Sequence, residues 1–217
     1  MKEAATRFRA TLIRSAAALL QAAETDFTLC EQGVRHDPSG RILTLSTIAQ
    51  ESGVFESHAR NENDLYNFPM GCHVAEVEID PQTGTPELAG YWAADDVGEV
   101  ISPKQLLGQV HGGVVQGLGQ AFGEHAVYDR HTGQLLTGSF MDYVMPRAGI
   151  LHGFHHESVP VPTQLNKLGA KGVGESGCSG SLPALANAVI DALRPLGVSQ
   201  ADMPFTPARV WALIHQR

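Results

Sequence analysis

His111-Gly-Gly-Val-Val-Gln-Gly-Leu-Gly-Gln-Ala-Phe122 places four glycines inside a stretch whose spacing is otherwise helical. A helical glycine costs about 1 kcal/mol relative to alanine, so about 4 kcal/mol of helix propensity is given up here. Function or very close packing must offset that loss. Gln116 and Gln120 stand four residues apart on one face, each with an amide donor and acceptor, beside glycines that admit a ligand to the backbone. The pattern equally suits a glycine-faced helix pressed on a sheet, with both amides at the surface. Either reading predicts a helix from Pro103 to Phe122.

Downstream, Leu168-Gly-Ala-Lys-Gly-Val-Gly-Glu-Ser-Gly-Cys-Ser-Gly-Ser-Leu-Pro183 sets the carboxylate of Glu175 among Gly172, Gly174 and Gly177. This predicts a tight loop a few residues before a helix over 181–193, whose N-terminal amides favour an anion. Ser181 is the expected cap and Pro183 falls in the first turn. Leu182, Leu185, Ala186, Val189, Ile190 and Leu193 form the buried stripe. Desolvation would make Glu175 a general base, whereas Lys171 or the helix end would oppose that. A solvated Glu175 on a phosphate-binding loop is the other reading, although the Gly-Lys-Ser/Thr ending of a P-loop is missing.

Outward from these stretches, Phe8, Leu12, Ala16, Leu19, Leu20 and Ala23 recur at helical steps and predict an amphipathic helix over residues 2–23. Two short β segments, 27–36 and 41–45, flank the turn Asp37-Pro-Ser-Gly40, and Ser46 is placed to cap a short helix through Glu51. Residues 52–67 are polar and aperiodic. Strands over 72–79 and 87–94 make a hairpin around Asp80-Pro-Gln-Thr-Gly84, a second hairpin crosses 128–135, and Thr206 caps a terminal helix over 207–214. The expected class is α+β, mixed sheets with hairpins and packed helices, divided into residues 1–55, a linker at 56–67, and 68–217.

A formal net charge of −8 argues against nucleic-acid and anionic-membrane surfaces, because both need a basic face. The chain is 43% hydrophobic and only 18% charged, which excludes a disordered polyampholyte. Cys30, Cys72 and Cys178 are an odd number without Cys-x-x-Cys spacing, so neither a disulfide framework nor structural zinc is indicated. The apolar stretch from Ser15 to Ala23 is too short to cross a bilayer. A cytoplasmic location is expected, or a periplasmic one if partner subunits carry an export signal.

Five motifs in order, "FPMGCHVAEVEIDPQTG", "DDVGEVISPKQLLGQVHGGVVQGLGQAFGE", "LLTGSFMDYVMPRA", "PTQLNKLGAKGVGESG" and "PALANAVIDALRPLGV", followed by a closing "DMPFTPARVWALI", span nearly the whole chain. Together they resemble the C-terminal part of the molybdopterin-binding large subunit of the xanthine dehydrogenase and aerobic carbon monoxide dehydrogenase family. The resemblance implies that Glu175, in "KGVGE", is the catalytic base, taking a proton from a hydroxyl at the molybdenum centre as an electron-poor carbon is attacked. It implies cofactor contacts from Gln116, Gly117 and Gly119 and from Lys171, Gly172, Val173 and Gly174. Molybdenum would be held by the pterin, in its plain or cytosine dinucleotide form, with no side chain of this chain as a metal ligand. FAD and 2Fe-2S clusters belong to partner subunits. The upstream part of the large subunit is a further expected partner, and the substrate is a small molecule such as an aldehyde or N-heterocycle. Homo-oligomerisation stays open, as does a non-catalytic role as an assembly module. The stretch after Glu175, Ser-Gly-Cys-Ser-Gly-Ser, departs from many relatives, which are more apolar there.

Several other candidates have ordinary structural readings. His152, His155, His156 and Glu157 tempt a metal reading, but alternate residues of an extended segment point opposite ways, so a solvated loop is expected. Asp95-Asp96 before Gly98 reads as a turn with a capping acid. Asp142 and Tyr143 fit a half-buried strand, while His73, Trp92 and Cys178 read as packing residues.

Overall fold

The computed structural model describes residues 1–60 and 66–215. The polypeptide divides into two compact units, Met1–Asp64 and Leu65–Arg217. The expected linker at 56–67 lies partly on residues 61–65, outside the described residues. Residues 53–60 carry no regular structure.

In the first unit, helix α1 (Lys2–Leu20) ends where Gln21 turns left-handed with φ 52°. Its apolar stripe meets a three-stranded antiparallel sheet, β1 (Phe27–Cys30), β2 (Gly33–His36) and β3 (Ile42–Thr44), followed by α2 (Leu45–Ser52). Leu12, Ala16, Phe27, Val34, Leu43 and Ile48 close this core. Two expectations are corrected. Residues 27–36 are not one β segment but a hairpin, reversed at Glu31-Gln32 and continued by Gly33 at φ 145°. The cap of α2 is Thr44, whose hydroxyl accepts from the Thr47 N–H at 3.1 Å, and Ser46 only bonds that hydroxyl.

In the second unit, β4 (Met70–Ile79) pairs antiparallel with β5 (Pro86–Asp96), and β6 (Phe154–Ser158) joins the other edge of β5 in parallel. Helix α3 (Pro103–Phe122) packs on α4 (Ser176–Leu193), which lies along β4, and α5 (Pro207–His215) closes the far end. Val110, Val114, Leu118 and Ala121 line the inner face of α3 at helical steps. Each buried valine or leucine there contributes about 1.5–3 kcal/mol. Val189, Leu193, Phe205 and Val210 form a second cluster beneath α4 and α5.

The helix α4 starts five residues earlier than expected, so Ser181 lies inside it and Pro183 is its eighth residue rather than part of its first turn. Tertiary packing overrides propensity here. A Cβ on Gly113 would stand 2.8 Å from the Cys178 nitrogen and one on Gly177 2.5 Å from the Val110 carbonyl, so the two helices touch backbone to backbone. The residues 139–143 form turns, not a strand, with Phe140 and Met141 exposed. The predicted hairpin across 128–135 is reduced to a single Tyr128–Leu135 bridge.

Candidate functional site

The chain segment 168–175, between β6 and the start of α4, is fastened at several points. Lys171 N–H donates to the Val97 carbonyl at 2.8 Å and Glu99 N–H to the Gly169 carbonyl at 2.9 Å. The Asn166 amide donates to the Ala170 carbonyl at 2.7 Å, and Asn67 does so at 3.0 Å. From α3, the Gln109 amide reaches the Gly174 carbonyl at 2.9 Å. A glycine-rich stretch is thereby fixed in place.

This loop divides two clefts. One, of about 630 Å³, is lined by Gly172, Gly174, Glu175, Ser176, His73 and Asp95, among others. The other, of about 740 Å³, lies between the loop and the outer face of α3, where Gln105, Gly108, Gln109 and Gly112 form a polar, Cβ-poor stripe. Glu175 takes the N-cap position of α4 but does not cap it, and its exposed carboxylate opens on the first cleft. Desolvation of that carboxylate must therefore come from a group or polypeptide seated on the cleft.

The Lys171 ammonium is committed to Asp96, which also accepts the N–H groups of Gly98 and Val161, both at 2.9 Å. These bonds, the Lys171 one foremost, hold the Asp96 carboxyl down to about 2. The sign follows from linkage: the pairing contributes fully above the unfolded carboxyl value of about 3.9 and is lost as pH falls from there toward 2. Lys171→Met should therefore flatten the dependence of the unfolding midpoint on pH between about 4 and 2. An unchanged slope in an acid denaturation series would show that the pair does not hold the loop.

The remaining predicted residues are distributed as follows. Gly172 and Gly174 have open space over their Cα atoms, and Val173 turns inward against the core. Gln116 is exposed on α3 and lines neither cleft. The space over Gly117 is filled by Ser181, and that over Gly119 by Glu124 and Pro146, so packing within the chain accounts for both.

Asp95 and Asp96 are not a simple turn. Asp96 does serve the turn at Gly98, but Asp95 is buried between His73 and His156. The segment read as a solvated histidine loop is strand β6: His156 points inward, while His155 stacks on Trp92 on the opposite face. Among the described residues no three His, Cys, Asp or Glu side chains converge as metal ligands. Tyr143 donates to Glu124 at 3.0 Å, a bond that raises the Tyr143 hydroxyl above its usual pKa. Sequence reasoning placed His73 among packing residues, which its burial bears out, but missed its hydrogen bonds to Asp95 and Tyr91. The signal was a histidine alternating with Ala75, Val77 and Ile79 on the apolar face of a strand.

The site accommodates a bulky, polar-edged group. A Cβ at Gly108, Gly112, Gly172 or Gly174 would meet nothing within 4 Å, so the cleft walls stand open where side chains have been removed. The Ser176 hydroxyl is buried beside Glu175 without a hydrogen-bond partner, a costly state that a bound group would relieve.

The family described as molybdopterin cofactor-binding domain matches residues 1–151. The carbon monoxide dehydrogenase large chain of Hydrogenophaga pseudoflava is 37% identical over 146 residues, 67% of this chain and 18% of that protein. The nicotine 6-hydroxylase large subunit of Paenarthrobacter nicotinovorans is 38% identical over 143 residues, 66% of this chain and 17% of that protein. Among solved structures, quinoline 2-oxidoreductase from Pseudomonas putida 86 superposes with a TM-score of 0.84 at 29% identity, covering 99% of this chain and 29% of that one. Carbon monoxide dehydrogenase from Oligotropha carboxidovorans does so with a TM-score of 0.79 at 31% identity, covering 98% and 28%. The chain thus spans less than a third of the length of each relative. The structural likeness extends past residue 151 and includes the Glu175 loop.

Proposed function

Because the chain belongs to the molybdopterin cofactor-binding domain family, we propose that it forms part of a molybdenum hydroxylase-type oxidoreductase in which Glu175 is the general base. The observation that carries this is the position of Glu175, on a fastened loop whose flanking glycines leave room for a bulky cofactor. When bound, the molybdenum-pterin group supplies the two-electron redox chemistry. Glu175 accepts and later releases the proton at its carboxylate. For a group that spans both clefts, the Gln105 and Gln109 amides along α3 and the Ser176 hydroxyl beside Glu175 offer hydrogen bonds to polar edges, and Gly172 and Gly174 admit it close to the backbone. Lys171 acts indirectly, by anchoring the loop through Asp96. Gln116 shares the outer face of α3 with Gln105 and Gln109 and, lying outside both clefts, would meet only a part of the cofactor that extends beyond them, while Gly117 and Gly119 bring α3 close to its neighbours.

The proposed substrate is a small aldehyde, N-heterocycle or similar molecule. The proposed partners are the rest of a molybdenum-binding large subunit and subunits carrying FAD and iron–sulfur clusters. Exposed Phe68, Met70, Phe140, Met141 and Val161 supply apolar area for such contacts. Among the described residues no helix is long and apolar enough to cross a membrane.

A direct test is metal and pterin analysis of the protein purified with its native partners: stoichiometric molybdenum is expected, and its absence from an intact complex would contradict the assignment. The exposed Glu175 carboxylate favours a second reading, an assembly module without turnover. That reading requires full complex assembly with unchanged activity in Glu175→Gln. The orphaned hydroxyl gives a further expectation. Ser176→Ala should leave the lone chain as stable or more stable by up to about 1 kcal/mol, since it removes an unmade hydrogen bond, yet lower cofactor retention in the complex. A loss of thermal stability with retention unchanged would remove Ser176 from the cofactor's contacts.

A further inference from the structure

Beneath Glu175, the floor of its cleft contains a buried polar network that the reading above does not use. The Asp95 carboxylate, 2% exposed, lies 3.3 Å from Nε2 of His73 and 3.1 Å from Nε2 of His156, and both imidazoles are buried as well. Nδ1 of His73 stands 2.7 Å from the Tyr91 hydroxyl. Strand register explains the assembly: His73, Ala93 and His156 lie side by side across β4, β5 and β6, and Asp95 is the next inward residue of β5. Gly71 makes room for the carboxylate, since a Cβ there would stand 2.3 Å from Oδ1.

The donors and acceptors can be assigned. A carboxylate only accepts, so both Nε2 atoms carry hydrogens directed at Asp95. Burial, followed by the Asp95 charge, pushes the Tyr91 hydroxyl well above its usual pKa, so that group remains a donor. A neutral His73 ring that donates from Nε2 to Asp95 accepts from that hydroxyl at Nδ1, and is then tied at both nitrogens in the Nε2–H tautomer.

The locked ring is also the surface on which α4 rests. A Cβ on Gly180 would stand 2.4 to 2.6 Å from Nδ1, Cγ and Cε1 of His73. On its other side α4 meets α3 through Gly177, so its first turns are held between the imidazole and a neighbouring backbone. Glu175 is the residue immediately before those turns.

We propose that His73, locked by Tyr91 and by the Asp95–His156 pair, is a positioning residue that sets the seat of α4 on the sheet and thereby aims Glu175. Its functional meaning rests on the proposed role of Glu175; the lock itself does not.

The test has two arms. In the 15N-labelled chain, two-bond 1H–15N spectra should show His73 as the Nε2–H tautomer, and Tyr91→Phe should convert it to a mixture. A wild-type Nδ1–H tautomer, or no response to Tyr91→Phe, overturns the lock. In the assembled oxidoreductase, Gly180→Ala should lower kcat about 100-fold, the scale of a misplacement near 1 Å, with KM and molybdenum content unchanged. It should add nothing in a Glu175→Gln background. Tyr91→Phe, which removes only a hydroxyl, should give a smaller kcat loss of the same kind and replaces Gly180→Ala if that variant does not fold. A kcat within about twofold of the parent for the folded variant, or an undiminished further loss in the Glu175→Gln background, overturns the positioning role. If Glu175→Gln itself retains turnover, the base assignment fails while the tautomer result still decides the lock.

Discussion

Replacing Glu175 by glutamine in the assembled oxidoreductase lowers turnover by a factor of about 10² to 10⁴, the usual contribution of a positioned general base, while molybdenum and pterin contents stay those of the parent. The substitution keeps side-chain volume and removes only the ability to hold a proton. Because the Glu175 side chain neither caps α4 nor carries a structural hydrogen bond among the described residues, folding and assembly should not suffer. The paired readout matters: loss of metal together with activity would mark Glu175 as a structural or cofactor-holding group, and activity near that of the parent would remove it from the mechanism.

The second large effect is a difference of sign between adjacent glycines of α3. Gly113→Ala places its Cβ 2.8 Å from the Cys178 backbone nitrogen. Backbone cannot yield as a flexible side chain does, so overpacking of about 1–3 kcal/mol exceeds the helix-propensity gain of about 1 kcal/mol. Gly112→Ala meets nothing within 4 Å and keeps the propensity gain. Thermal melts of the lone chain should therefore rise for Gly112→Ala and fall for Gly113→Ala, by about 2–4 °C per kcal/mol. In the complex, Gly112→Ala should instead weaken cofactor retention, because its new methyl group enters the cleft along α3. Equal responses of the two variants would mean that the glycines do not divide between packing and cleft.

That division shows what could and could not be read from the residues. Helix α3 was legible to its bounds, since Pro103 marks its first turn and Gly123 follows its end. The hairpin of β4 and β5 was legible from alternation around a proline–glycine turn. The start of α4 was not: Ser-Gly-Cys-Ser-Gly-Ser has the composition of a loop, and it becomes helical because small residues let α3 approach. The α3 glycines divide, Gly113 and Gly117 serving helix contact and Gly108 and Gly112 facing open space. Strand β6 was hidden because pairing to β5 in parallel is a long-range contact, and the histidines that suggest a solvated loop are divided by the pleat between an inward and an outward face. The Asp95 network was illegible for the same reason, as its members come from three strands.

Lys171 carries a related lesson. Lys171, four residues before the glycine-flanked Glu175, reads as a charge that opposes its acting as a base. Its charge is instead taken by Asp96, 75 positions upstream. The loop that presents Glu175 is thus held by an ion pair at its base and by the Gln109 amide near its tip, and the carboxylate is left free for chemistry.

If the cleft bearing Glu175 receives the molybdenum centre, anomalous scattering at the molybdenum edge from crystals of the assembled oxidoreductase will locate it there. A single molybdenum peak is expected in the cleft lined by Gly172, Gly174 and Glu175; a peak that leaves this cleft empty and lies away from the Glu175 carboxylate would overturn that placement.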